Sequence, residues 1–166
     1  MTIILKKNNF SLLLITFFLM LSCTTPADFN SYKAIDSKGW KAEKKIMFEF
    51  NVKDTILPKN VFVNIRNNNK YEYSNLYIIT EMAFPNNTII VDTLQYEMAD
   101  DRGVFLGTGF SDIKENKLFY KEEKVFPQFG KYTFNIRHAM RKNGAINPIP
   151  FLEGLQDIGF SIEKTK

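Results

Sequence analysis

One side chain in this sequence has an obvious covalent reaction open to it. Cys23 is the only cysteine, and it follows Lys6-Lys7 and an apolar run from Phe10 to Leu21, in the string Leu19-Met20-Leu21-Ser22-Cys23. A basic start, an apolar stretch and a small residue at the cut describe a secretory signal. The run is interrupted by Ser11 and Thr16 and is shorter than the roughly 20 residues that a membrane-spanning helix needs. A cysteine directly after the small residue makes this a bacterial lipoprotein signal. In that class the sulfur takes a diacylglycerol as a thioether, the chain is cut before the cysteine, and the new amino group takes a further acyl chain. The competing reading, a stray cysteine behind an ordinary export signal, requires the single cysteine to fall at the cleavage site by chance.

Little else has the makings of an active site. There is one histidine, no thiol beyond Cys23 and no Gly-x-Ser-x-Gly, so the common nucleophilic triads and zinc sites are excluded. No metal or cofactor is expected. His138 stands among apolar neighbours on a predicted strand and reads as a buried, hydrogen-bonded histidine. Asp100-Asp101 with Gly103 lacks the spaced acids of a calcium loop and reads as an acidic turn. Asp100 and Asp112 are the pair a glycosidase would need, on a small chain with no other sign of that chemistry. Trp40, Tyr71, Tyr73 and Tyr77 suit either an aromatic platform for sugar or peptide or ordinary cross-strand packing. Arg137 and Arg141 are expected on one strand face, either as a solvated face or as a strip for an anionic partner. Together with Arg66 and Tyr71 they form the candidate partner surface, because Arg and Tyr bring large contact area and directed hydrogen bonds.

The elements that must position these residues follow a period of two. Ile46, Phe48, Phe50 and Val52 share one face, as do Val61, Val63 and Ile65. Leu76, Ile78, Thr80, Met82 and Phe84 form another, then Pro85-Asn86-Asn87-Thr88 turns the chain into a partner strand over Ile89–Met98. Tyr132, Phe134, Ile136, His138 and Met140 alternate again, and Ile158, Phe160 and Ile162 make a last strand. Ala99–Asp112 is expected to be a strand with irregular ends. Asn143–Gly154, with Pro148 and Pro150, is expected to be a long loop of the kind that often carries function. No stretch after Cys23 keeps a helical period. The expected architecture is all-β: a single antiparallel β-sandwich over residues 39–166, after a signal peptide at 1–22 and an acylated tether at 23–38. A tether of that length reaches roughly 50 Å.

Removing Lys6 and Lys7 with the signal halves the formal charge of +4, and no basic block survives. Nucleic acid is therefore not an expected partner. Sixteen Phe and 45% hydrophobic residues supply a core without disulfides.

Several segments, taken in order, resemble the GldH family of gliding-motility lipoproteins from Bacteroidetes. They are Phe48-Glu49-Phe50-Asn51-Val52-Lys53-Asp54, Val63-Asn64-Ile65-Arg66-Asn67-Asn68 and Tyr73-Ser74-Asn75-Leu76. Gly103-Val104-Phe105-Leu106-Gly107-Thr108-Gly109 and Gly130-Lys131-Tyr132-Thr133-Phe134 follow. The most specific is Ile136-Arg137-His138-Ala139-Met140-Arg141, with Ile158-Gly159-Phe160 near the end. The resemblance implies a non-enzymatic accessory lipoprotein of gliding, linked to type IX secretion, with other envelope lipoproteins as partners and no catalytic residue. A lipid-anchored glycan- or peptide-binding module is the alternative. Asp54-Thr55-Ile56 and Asp92-Thr93-Leu94 match a short O-glycosylation pattern of that phylum, with Thr55 and Thr93 as acceptors. Thr24 directly after Cys23, with Asp28 the only nearby acid, points to the periplasmic face of the outer membrane.

Overall fold

The computed structural model describes residues 27–165; Cys23 and the signal segment lie outside them. Ten strands follow one another without a helix among the described residues: β1 (Phe29–Ala34), β2 (Trp40–Lys41), β3 (Ile46–Val52), β4 (Lys59–Asn67), β5 (Asn75–Ala83), β6 (Ile89–Glu97), β7 (Lys114–Lys124), β8 (Gly130–His138), β9 (Phe151–Leu152) and β10 (Leu155–Lys164). They form two four-stranded sheets, in the orders β1-β10-β4-β7 and β3-β8-β5-β6, and a two-stranded ladder of β2 and β9. All named pairings are antiparallel. The all-β, antiparallel expectation holds; the third, short sheet was not foreseen.

The alternation in the sequence is what builds the core. In β3, every second residue from Ile46 to Val52 is buried and those between are exposed. β8 buries Tyr132, Phe134, Ile136 and His138 in the same alternation, with half-buried residues between them. Rings from the two large sheets meet: Phe134 of β8 stacks on Phe160 of β10 at 4.2 Å, and Phe50 of β3 lies 5.4 Å from Phe160. Tyr132 is enclosed by Phe50, Phe84 and Phe126. Each such side chain contributes roughly 1.5–3 kcal/mol by leaving water. The edges β6 and β7 are tied by Tyr120, whose hydroxyl donates to Asp92 Oδ2 at 2.7 Å. Burial and that carboxylate push the Tyr120 hydroxyl well above the usual tyrosine range.

Three expectations need correcting. Asn143–Gly154 is not loop throughout, because β9 lies within it and pairs with β2. Residues 29–34 are a strand within the segment expected to be tether. Phe29 packs on Phe50 and Phe160 at 5.6 and 6.0 Å, and the Asp28 amide donates to the Ile162 carbonyl. As an edge strand with only partly buried side chains, β1 carries too weak an alternation to be read. Ala99–Asp112 is not a strand. It turns, held by bridges between Ala99 and Phe105 and between Thr108 and Glu115. The Asp100 carboxylate accepts the amides of Arg102 and Val104, which bends the chain back on itself.

The strand directions give the molecule two ends. The chain enters at Phe29 beside the end of β10, and the 53–58, 84–88 and 125–129 connections lie at this same end. The 68–74, 98–113 and 139–150 connections lie at the other.

Candidate functional site

His138 is fully buried, and its Nε2 donates to the Trp40 carbonyl at 2.9 Å. Its Nδ1 has no partner among the described residues. Burial holds its pKa below the ordinary value, with Arg137 adding to the effect. A neutral, enclosed imidazole packed edge-on against Trp40 at 5.5 Å fixes the β2–β9 ladder to β8; it does not reach solvent.

The acids are equally occupied. Asp100 is the turn carboxylate described above, and backbone amides and Arg102 hold its pKa below the usual value. Asp112 accepts from the Asn69 side chain at 3.3 Å. Among the described residues no three His, Cys, Asp or Glu side chains come close enough to hold a metal. The aromatic platform does not assemble. Trp40 and Tyr71 are buried, while Tyr77 is exposed.

The four candidate contact residues are not brought to one surface. Tyr71 is buried and donates to the Asn75 carbonyl at 2.6 Å, so its ring closes the end of the core instead of facing a partner. Arg66 lies on the outer face of the first large sheet, away from the buried Val63 and Ile65. It packs 4.3 Å over the Tyr32 ring and pairs with Glu115 at 3.2 Å and Asp157 at 3.8 Å. Tyr32 donates to the other Glu115 oxygen at 2.6 Å, and burial, then Glu115, push its hydroxyl up to about 12. This is a self-satisfied cluster built by four neighbouring strands, β1, β10, β4 and β7.

Arg137 lies on the opposite outer face, that of the β3-β8-β5-β6 sheet. There it sits across from Ile79, which sits across from Thr93. One row of that face therefore reads Arg137, Ile79, Thr93. Beside it Tyr77 donates to Gln95 at 2.7 Å. Arg141 is exposed just past β8, where its backbone bridges Pro148. Neither Arg137 nor Arg141 enters an ion pair among the described residues. Thr93 is exposed on β6, whereas Thr55 is half-buried in the 53–58 turn at the other end.

A residue that no pattern announced is Lys59. Its side chain is 6% exposed and bridges Asp28 at 2.8 Å and Asp54 at 3.2 Å. The Asp28 contact raises the Lys59 pKa against the opposing effect of burial. The Asp54 carboxylate also accepts the Ile56 and Leu57 amides, so one lysine joins the chain entry to the β3–β4 turn. Lysines are seldom buried without a partner, but the sequence alone does not say which ones are.

The GldH lipoprotein family model matches residues 27–162. A protein of Christiangramia forsetii described as a gliding motility lipoprotein GldH homolog is 43% identical over 161 residues, covering 96% of this chain and 98% of its own length. The gliding motility lipoprotein GldH of Flavobacterium johnsoniae is 39% identical over 160 residues, covering 96% and 99%. A subviral particle of infectious bursal disease virus VP2 aligns with 84% of this chain and 31% of its own at a TM-score of 0.34 and 11% identity, too low to carry an argument. On the strength of the family match and two near full-length relatives, this chain belongs to the GldH family of gliding-motility lipoproteins.

Proposed function

We propose that this protein is a lipid-anchored accessory subunit that works by protein–protein contact at the periplasmic face of the outer membrane, in concert with type IX secretion. The chain is cut before Cys23, whose sulfur and amino group carry the anchoring lipids. The two large sheets form a sandwich that acts as a rigid scaffold. The contact surface is the outer face of the β3-β8-β5-β6 sheet, at the end away from the chain entry. The observation that carries this choice is that half-buried Arg137 and exposed Arg141 have no ion-pair partner among the described residues and share this region with exposed Tyr77. Arg66 is less suited, since Glu115 and Asp157 already use it.

The double change Arg137→Ala with Arg141→Ala is expected to leave the protein at normal levels and to reduce colony spreading or adhesin export. Wild-type spreading and secretion with stable protein would remove this face from consideration. Protease added to intact cells should spare the protein; complete digestion would place it on the outside. O-glycosylation belongs at Thr93 more than at half-buried Thr55, and a glycan there would stand in the Arg137 row. Intact-mass measurement of the mature protein decides between a modified row and a bare one.

A further inference from the structure

The end where the chain enters carries a second surface, and it is apolar. Ile56 is 81% exposed, Leu57 56%, Val125 41% and Phe129 68%. The 53–58 and 125–129 connections that carry them start and finish side by side, since Val52 pairs with Gly130 and Lys59 with Lys124. Pro85 of the neighbouring hairpin turn lies against Gly130. Four large apolar side chains on two adjacent loop tips are not needed by the core beneath them, which is closed by Phe50, Phe126 and Tyr132.

What covers them is indicated by where the chain enters. Asp28 is held at this end by Lys59 and by its amide bond to Ile162. Only four residues, 24–27, then separate it from Cys23, and those five Cα-to-Cα steps span at most roughly 18 Å when fully extended. A lipid on Cys23 therefore keeps this end near the bilayer, while the other end stands about a strand length, on the order of 30 Å, further out. Lys53, Lys124 and Lys164 surround the apolar tips without ion-pair partners among the described residues; the neighbouring acids are Asp28 and Asp54, both paired with Lys59, and Glu122 and Glu123. Apolar tips ringed by lysines suit the boundary between headgroups and acyl chains, where apolar burial and attraction to anionic lipid add together.

We infer that this end docks directly on the bilayer, with Ile56, Leu57, Val125 and Phe129 entering the headgroup region beside the lipid on Cys23. The inference rests on acylation of Cys23. Docking at two places, anchor and loop tips, fixes the orientation of the molecule, so that the Arg137 face is held at a set height and angle above the membrane.

The test uses the full mature lipoprotein reconstituted in vesicles of phosphatidylethanolamine and phosphatidylglycerol. The thioether leaves no free thiol, so Phe129→Cys introduces a single site for an environment-sensitive fluorophore. Ile146→Cys, 85% exposed at the far end, is the reference. Lipids brominated on the acyl chain should quench the probe at 129 by about threefold more than the probe at 146. Equal quenching at the two sites, with acyl chains on Cys23 seen in the intact mass, would overturn docking and leave the anchor standing. An intact mass without acyl chains would overturn both.

Discussion

Cys23 is the proposed site of the lipid anchor. Each buried CH₂ of a lipid contributes roughly 0.8 kcal/mol, and one acyl chain holds only marginally, so two or three chains give lasting attachment. Cys23→Ala should leave the chain uncleaved or soluble, and normal processing with retention in a salt-washed membrane pellet would contradict the anchor. His138 has a different lesson. Its pKa is held below the unfolded value of 6.5, so below that pH the unfolded chain binds a proton that the folded protein refuses. Stability should therefore fall as pH drops from about 7 toward about 5. Asp54 and Asp100, held below 3.8, lose their contribution only at lower pH, which leaves this window to the one histidine. His138→Gln should flatten the slope of Tm against pH there; a wild-type Tm that does not change across the window would mean that the imidazole is not enclosed as described. Lys59→Ala strands two half-exposed carboxylates and should cost roughly 1–3 kcal/mol, read by urea unfolding.

At the scale of the element, the strand that the sequence hid has the most testable consequence. A chain beginning at Gly39 lacks β1 and its Phe29 contacts, and should be less stable than one beginning at Ala27 by about 2 kcal/mol or more. Equal midpoints in urea would return residues 29–34 to the tether. Strands with strict alternation, β3, β5 and β8, were legible residue by residue, because one face meets the core and the other meets water. β7 was not. Its inward set is Asn116, Leu118 and Tyr120, interrupted by irregular pairing opposite Val61 and Phe62, and the charges around them mask the period. The candidate surface was legible only by residue type. Arg137 and Arg141 have no ion-pair partner among the described residues and stay as proposed contacts, whereas Arg66 and Tyr71 are spoken for by Glu115, Asp157 and the Asn75 carbonyl. Pairings of that kind depend on which strands become neighbours, and the order β1-β10-β4-β7 brings together residues more than eighty positions apart. Gly154 shows the same limit. Its φ is +81°, and a Cβ there would run into the Tyr71 backbone, so Gly154→Ala should be far more damaging than its place in the short turn between β9 and β10 suggests.

The whole molecule is a short post with unlike ends. At one end are the chain entry, Lys59 with its two aspartates and the apolar loop tips. Toward the other are Arg137 and Tyr77 on an outer sheet face, with Arg141 just past the end of β8. Loss of the core should remove both surfaces at once: Phe160→Ala takes a ring from between Phe48, Phe50 and Phe134 and should cost about 3–5 kcal/mol, much of the 5–15 kcal/mol that holds a domain of this size. The protein is proposed to act by touching another protein through the Arg137 face. The direct measurement is site-specific photocrosslinking in the native membrane, with the reactive group placed at Arg137 and, as reference, at Lys117 on the opposite sheet. A discrete protein adduct from position 137, absent from position 117, is the expected result. A functional protein that gives no adduct at 137, or the same adducts at both positions, would contradict it.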